Sequence, residues 1–595
     1  MLTTENLRTG NGSCLVTDGE SGAANPKHPQ EKPSRQSSLG TIKLKKDFLE
    51  LEEEHGNLTK VCLPIKADAY IRGETEPKVL VLLKFKDDRG AWHELQVPKA
   101  ECKDSKSLIA RLLNCGWEYF SPKKTVLLVL DELLTWCSPQ KNLMRVEKPG
   151  WHRNGESGKK VFIYGNQILA PRGEKPAVYF YGTAPFKKQG TLEEWKQFVA
   201  KFFAGNSRQL LLLSAAFAGP LLGLVKQPNI GILLHGASRS GKTATLAAIC
   251  SVFGDEEIMG SWKATANALL QSAVERNDLV FPLDELSQAK ANDAGEAAYD
   301  LMNGSSKSRL NSDSKIQPVY RFRLVTISTG EQSFAAYLAK HGLMASAGQL
   351  ARMLSIPFSS HGVFENVHGY KNHAALAGAM AMNAQKYYGT AGPAFIQHLV
   401  DHQEEIEQSA AARIEKIQDT LMSSCADLHE AGLQLDVARR LATVAYAGEL
   451  AIEIGILPFK NGVAIRAART CFKAWNRQYE AEAATRDPVF AAVKGYITDH
   501  LASFIPLGEH RSAKGQPIGF THTVDGVTAF LLTQQAFQQQ LCLQHGKSAV
   551  IPALKSRNLL MLGARGTPTR QVTMPGSKNG KQSFYVINSL ILTTV

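Results

Sequence analysis

Apolar and polar positions divide the chain into stretches of different texture. Val79-Leu80-Val81-Leu82-Leu83-Lys84-Phe85 is a continuous apolar run that reads as a strand; Asp87-Asp88-Arg89-Gly90 supplies a turn, and residues 92–97 follow as the hairpin partner. Residues 107–115 have helical spacing, whereas 124–130 are apolar enough for a strand or for the start of a helix. Residues 210–225 form the longest apolar run, interrupted by Ser214, Gly219 and Pro220. It falls short of the roughly 20 residues needed to cross a bilayer and is expected to be a buried core helix. Ile230-Gly231-Ile232-Leu233-Leu234 has the pattern of a buried strand, and similar stretches recur at 278–283 and 322–328 with helical segments between. That alternation predicts a parallel α/β sheet. Residues 370–480 are dominated by helix formers, notably 404–421 and 433–452. Beyond Arg486 the texture is mixed, with helices expected at 488–504 and 533–543 and strands at 571–574 and 583–587.

Composition narrows the class. The chain has 595 residues, 44% of them hydrophobic and 21% charged, which excludes a mainly disordered or fibrous protein and a single small module. Residues 1–47 contain no aromatic side chain and are expected to be a disordered tail. The nine cysteines include no C-x-x-C pair, so neither a zinc ribbon nor a disulfide framework is suggested, and a cytoplasmic location is expected. No secretory leader or membrane span is expected, since the first ten residues are polar and no apolar segment follows them. The net charge of +13 favours a polyanionic partner.

Chemistry enters at the end of the 230–234 strand. Gly236-Ala237-Ser238-Arg239-Ser240-Gly241-Lys242-Thr243 matches G-x-x-x-x-G-K-[ST], with a strand before it and a helical segment after it. Glycines at both ends let backbone N–H groups converge on phosphates, and the following helix dipole reinforces them. ATP and Mg²⁺ are the expected ligands: Lys242 would bridge the β- and γ-phosphates and the Thr243 hydroxyl would ligate the metal. Downstream, Leu279-Val280-Phe281-Pro282-Leu283-Asp284-Glu285 is an apolar strand ending in two carboxylates. Asp284 is placed to hold magnesium and Glu285 to polarise the attacking water. Pro282 lacks a donor, so a local bulge is expected there. A third strand ends in Ser328-Thr329-Gly330-Glu331, where Ser328 or Thr329 could sense the γ-phosphate and orient water, or simply cap a turn. Arg352, at the end of Gly348-Gln349-Leu350-Ala351-Arg352, is a candidate arginine finger, which would require a ring of subunits.

Together these segments resemble the family called domain of unknown function 927, found in prophage and other mobile-element ATPases and related to superfamily 3 and other hexameric helicases. The resemblance runs over residues 58–368 and includes Gly150-Trp151-His152, Trp195, the phosphate loop, Trp262-Lys263-Ala264-Thr265-Ala266-Asn267, Leu283-Asp284-Glu285, residues 299–309 and Val367-His368-Gly369. It implies an ATPase core assembled as a hexameric ring around DNA and used in replication of a mobile element. Some members carry primase modules, but this chain has neither a zinc-binding cysteine set nor an evident primase carboxylate cluster. In superfamily 3 helicases a hairpin between the second and third motifs carries a basic residue to the DNA, which makes Lys307 and Arg309 candidates here. The fold expected is thus an α/β P-loop NTPase core of the AAA+ or superfamily 3 type. The expected domains are a tail (1–47), an N-terminal α+β domain (48–185), the ATPase (186–360), a helical region (361–485) and a basic winged-helix-like domain (486–595).

Charge placement points to DNA independently of the family. After Asp525 there is no acidic residue, yet Lys547, Lys555, Arg557, Arg565, Arg570, Lys578 and Lys581 follow. Of these Lys555, Arg557, Arg565 and Arg570 are the candidate DNA contacts. His361, His368 and His373 have poor metal-ligand spacing. The function expected is an ATP-dependent DNA helicase or translocase. The alternative is a nucleotide-gated regulatory or phage-defence ATPase that does not unwind, and a small-molecule kinase would leave the basic terminus unexplained.

Overall fold

The computed structural model describes residues 15–16, 34–37, 39–53, 55–73, 78–135, 142–182, 186–238, 240–305, 319–343, 345–425, 432–486, 488–508, 518–543, 545–575 and 580–592. The chain divides into two compact units, Met1–Ala184 and Pro185–Val595.

In the first unit the hairpin Val79–Lys86 and Trp92–Pro98 forms the centre of a six-stranded sheet that also takes in Ile65–Gly73, Asn142–Val146 and Val178–Phe180. One face is covered by the helices Ser105–Asn114 and Lys123–Thr135. The ambiguous stretch at 124–130 is therefore helix. Its buried positions Val126, Val129, Leu130 and Leu133 recur at spacings of three and four and its Leu128 faces solvent, a period no strand can satisfy. Order also begins before residue 48. Gly40–Leu44 pairs with Leu49–Glu52 in a four-stranded sheet, and Ile42 is buried in the core with Leu39 and Leu44 packed against it, so three aliphatic side chains anchor this polar stretch.

The second unit is built on a five-stranded, all-parallel sheet. Its elements in chain order are α1 (Ser207–Leu222), β1 (Ile230–His235), α2 (Lys242–Cys250), β2 (Gly260–Ser261), β3 (Leu279–Asp284), β4 (Leu324–Gly330), α3 (Ala347–Arg352) and β5 (Met353–Pro357). The spatial order is β2-β3-β4-β1-β5. Every residue of β1 and β4 is buried, which is why neither shows the alternation of apolar and charged positions expected of a half-exposed strand. Helix α1 is buried along almost its whole length and packs on β3 and β4. At Gly219 a Cβ would stand 2.5 Å from the Leu279 carbonyl carbon, so glycine permits the close approach. No described helix is long and apolar enough to cross a membrane.

Pro282 produces no bulge. β3 runs in unbroken register from Leu279↔Leu324 to Leu283↔Ser328, and on its other side the two-residue edge strand β2 pairs only with Leu283 and Asp284. The proline thus sits where β3 has a single partner strand, the edge-like position in which a missing donor is tolerated.

Helices α4 (His373–Ala384), α5 (Gln403–Met422), α6 (Gly432–Glu453) and α7 (Val463–Arg486) follow. α6 and α7 pack on α1, and α7 also lies against β5, so the helical region closes over the sheet and does not form a separate unit. The chain continues into α8 (Pro488–Asp499), β6 (Phe504–Pro506), β7 (Gly519–Val524), β8 (Val527–Thr533), α9 (Lys547–Lys555), β9 (Arg570–Thr573) and β10 (Lys581–Asn588). Here the strand order is β6-β7-β8-β10-β9, and α8 and α9 meet over a core of Phe490, Ile497, Phe530, Val550, Leu554 and Tyr585. The helix expected through residue 504 stops at Asp499, because Phe504 is drawn into β6 beside Gly519.

Candidate active site

β1 delivers the chain to the phosphate loop at the carboxyl edge of the sheet, where ligands of open α/β folds bind. Gly236 is packed so tightly that a Cβ would stand 2.1 Å from the Phe358 ring, and Gly241, at φ 97°, occupies the left-handed region from which α2 starts. Lys242 is buried, and its Nζ arches back over the loop to donate to the carbonyls of Gly236 (2.9 Å) and Ala237 (3.1 Å). Arg239 lies outside the described residues.

The other predicted residues converge from neighbouring strands. Because β4 lies between β1 and β3, its Thr329 reaches both acidic positions at the end of β3. Thr329 Oγ1 donates to Asp284 Oδ1 at 2.9 Å and accepts the Glu285 N–H at 3.1 Å. The Thr243 hydroxyl, from the first turn of α2, is 3.5 Å from Asp284 Oδ2. Thus Asp284 is shared between two hydroxyls, one from each flanking motif.

Three predicted residues are disposed otherwise. Ser328 turns from the carboxylates, as alternation along a strand requires of a neighbour of Thr329. Its buried Oγ accepts Trp262 Nε1 at 2.8 Å. Glu285 sits at φ 45°, and its Oε1 accepts from Ser287 Oγ at 2.8 Å, capping the short turn that follows. Its Oε2 takes no part in that cap. Arg352 immediately precedes Met353, which pairs with Gly231 at the start of β1, whereas the phosphate loop follows His235 at the other end. It is a sheet's length from the loop of its own chain. Lys307 and Arg309 lie outside the described residues.

In the terminal region Lys555 and Arg565 are exposed, Arg557 stands 4.3 Å over the Phe490 ring, and Arg570 makes a two-pronged ion pair with Asp525 at 2.6 and 2.9 Å. His368 and His373 pack separately on Phe202 and Phe364, and no group of three or more His, Cys, Asp or Glu among the described residues is placed to hold a metal.

A hydrogen-bonded chain that sequence reading missed ties the site to α7. His235 Nε2 meets Gln478 Oε1 at 2.9 Å, Gln478 Nε2 donates to Glu482 Oε1 at 2.7 Å, and Ser333 Oγ donates to the same oxygen at 2.6 Å. Since the Gln478 amide nitrogen is used as a donor, His235 Nε2 carries the proton. Burial pushes the His235 pKa below its ordinary value, opposed by the Gln478 bond. These partners are far apart in sequence and belong to no motif, so nothing local could have announced them.

The residues present fit a nucleotide with its metal. Ser240 Oγ in the loop is buried without a hydrogen-bond partner, the first amides of α2 have no intrahelical acceptors, and the Thr243–Asp284 pair offers a neutral and an anionic oxygen side by side.

Residues 35–321 match the family model described as domain of unknown function (DUF927). No curated protein matches the chain. Among solved structures the fold is similar to that of an SCCmec type IV Cch active helicase, with a TM-score of 0.58 over 95% of this chain and 99% of that one. Sequence identity to it is 16%, so the likeness concerns the fold.

Proposed function

We propose that the chain is an ATP-dependent DNA helicase or translocase that works as a ring in the replication of a prophage or other mobile element. The observation that carries this reading is the meeting of three separate motifs at Asp284, which is joined to Thr329 and lies within reach of Thr243. The loop amides and Lys242 bind the triphosphate, and the buried amine, already held by two carbonyls, is aimed without further ordering. Thr243 and Asp284 would hold Mg²⁺, whose contribution is to neutralise charge on the phosphate oxygens. Thr329 fixes the Asp284 carboxylate and the backbone of Glu285. Glu285 orients the water. Arg352, remote from its own loop, serves the nucleotide of a neighbouring subunit, which is the reason for a ring.

The terminal region runs α8, β8, a short helix (Gln534–Ala536 continuing into Phe537–Leu541), α9, β9 and β10 once the added β6 and β7 are set aside, the element order of a winged helix, with α9 in the position of the recognition helix. Lys555, Arg557, Arg565 and Arg570 there, and Lys307 and Arg309 ahead of β4, contact the DNA backbone. The cytoplasm is the compartment this work requires.

The test is strand displacement on forked DNA with ATP. The expected result is DNA-stimulated hydrolysis and unwinding, both lost in Lys242→Ala. Hydrolysis that no DNA stimulates, with no strand displaced, refutes the motor. The Glu285–Ser287 cap favours a second reading, a nucleotide-gated switch that binds DNA without unwinding. Slow turnover with ATP-dependent assembly and no translocation would select it.

A further inference from the structure

Cations gather at the amino end of β1, a sheet's length from the phosphate loop. Arg440 of α6 is buried, with 5% exposure, and its Nη1 donates to the carbonyl of Asn229, the residue before β1, at 2.6 Å. Its Nη2 donates to Asp436 Oδ2, one turn back on the same helix, at 3.3 Å, and its Nε is buried without a hydrogen-bond partner. Arg352 closes α3, which packs on α6, and its carbonyl oxygen lies 2.9 Å from where a Cβ on Gly231 would stand. Both arginines are thus anchored at the first residues of one strand. Arg439, 3.5 Å from Gln227 Oε1, and the exposed Lys226 add to the positive charge of this corner.

Arg352 is the cation with nothing to hold. It is half-buried and makes no hydrogen bond or ion pair with another described residue. Its guanidinium lies back over its own helix, with Nη1 3.4 Å from the position of a Cβ on Gly348. Arg440 is a costly neighbour for it. Burial pushes the Arg440 pKa below its ordinary value, Asp436 opposes the fall, and the charge of Arg352 adds to it. Stability alone does not call for such a residue, since apolar side chains of similar volume often replace a buried ion pair without loss. What the arrangement achieves is a division of partners: Asp436, with its side chain 47% exposed, is engaged by Arg440, and the charge of Arg352 is left uncompensated.

We propose that Arg440 is a positioning residue, which engages Asp436 so that the Arg352 guanidinium stays unpaired for the triphosphate of a neighbouring subunit. The inference rests on the reading of Arg352 given above. With Asp436 released, an ion pair to Arg352 within the chain would compete with the phosphates. With Asp436 held, Arg352 has no bond of its own to break before it meets them, a form of preorganisation.

The test is steady-state ATP hydrolysis by the full chain. Arg440→Gln should lower kcat by roughly tenfold, as a half-buried ion pair lies in strength between the exposed and the buried case, with KM for ATP within about threefold because the loop is remote. Arg440→Lys keeps the charge and should retain most of the rate. Adding Asp436→Asn to Arg440→Gln should bring kcat back to within about threefold of the parent, a rescue that a merely structural role for Arg440 does not give. Gly348→Glu offers Arg352 a carboxylate on its own helix and should have a kcat about tenfold below that of Gly348→Gln. That comparison leaves Arg440 in place and decides the matter if Arg440→Gln does not fold. A double variant no faster than Arg440→Gln, or equal kcat in the two Gly348 variants, overturns the proposal. Failure of the underlying reading looks different: Arg352→Ala then hydrolyses ATP at the parent rate, whereas loss of an arginine finger costs about 10³–10⁵ in kcat.

Discussion

Replacing Thr329 by valine removes one oxygen and keeps the shape of a fully buried side chain. That oxygen donates to the Asp284 carboxylate at 2.9 Å and accepts the Glu285 amide at 3.1 Å. A hydrogen bond to a charged group contributes about 1.5–3 kcal/mol and a neutral one about 0.5–1.5 kcal/mol. If the bond to Asp284 alone is expressed in the transition state, the barrier to hydrolysis rises by about 1.5–3 kcal/mol, or roughly 10- to 150-fold in kcat. KM for the nucleotide should stay within about threefold, because the loop and Lys242 are untouched. Thr329→Ser restores the oxygen and should recover most of the rate. The assay is steady-state nucleotide hydrolysis with parent, valine and serine variants in parallel. A valine variant with kcat within twofold of the parent, or a loss that serine does not repair, shows that Thr329 does not hold the acidic pair in working order.

Gly236→Ala should lower the melting temperature, since its Cβ meets the Phe358 ring, at a cost of about 1–3 kcal/mol; Phe358→Ala should recover part of it, and a double-mutant cycle without coupling contradicts the contact. His235 has a pKa below its ordinary 6.5, so the unfolded chain binds the extra proton first; stability is full above pH 6.5 and declines as pH falls below it. Melting temperatures of the parent between pH 7.5 and 5.5 should fall more steeply than those of His235→Gln. Asp525→Asn frees Arg570 from its ion pair and should steepen the salt dependence of DNA binding by about one counterion, whereas Lys555→Ala should flatten it by about one; fluorescence anisotropy at several salt concentrations measures both.

The strand, glycine-rich loop and helix at 230–250 were legible because their signals are contiguous: an apolar run, eight residues of loop motif and a helical segment after it. The strands bearing Asp284 and Thr329 were legible as apolar runs ending in polar residues. What could not be read was orientation. Adjacent Ser328 and Thr329 must face opposite ways, but which one faces the acids depends on Trp262, 66 positions upstream. Glu285 likewise matched its motif while its Oε1 is taken by Ser287. Residues 124–130 were ambiguous because seven residues hold too few helical turns to separate the two periods. Strands β7 and β8 went unrecognised although Asp525-Gly526 between them is a strong hairpin signal, with Asp525 at φ 52°. The expected bulge at Pro282 followed from treating β3 as fully central, and only the topology reveals how little of β2 flanks it.

Gln478 and Glu482 stand one turn apart on α7, and one is bonded to the residue that opens the phosphate loop, the other to Ser333 just beyond Thr329. The helix is thereby clamped to the tips of two adjacent strands like the jaw of a calliper. At 24 residues it is about 36 Å long, and the gripped end, with Glu482 four residues before Arg486, runs almost directly into α8. The grip thus lies within about two turns of the junction with α8, so displacement of the strand tips reaches α8 through a short, stiff segment. Any change in the gap between those strand tips must either snap one of the bonds or swing the rod, and with it the positively charged terminus it carries.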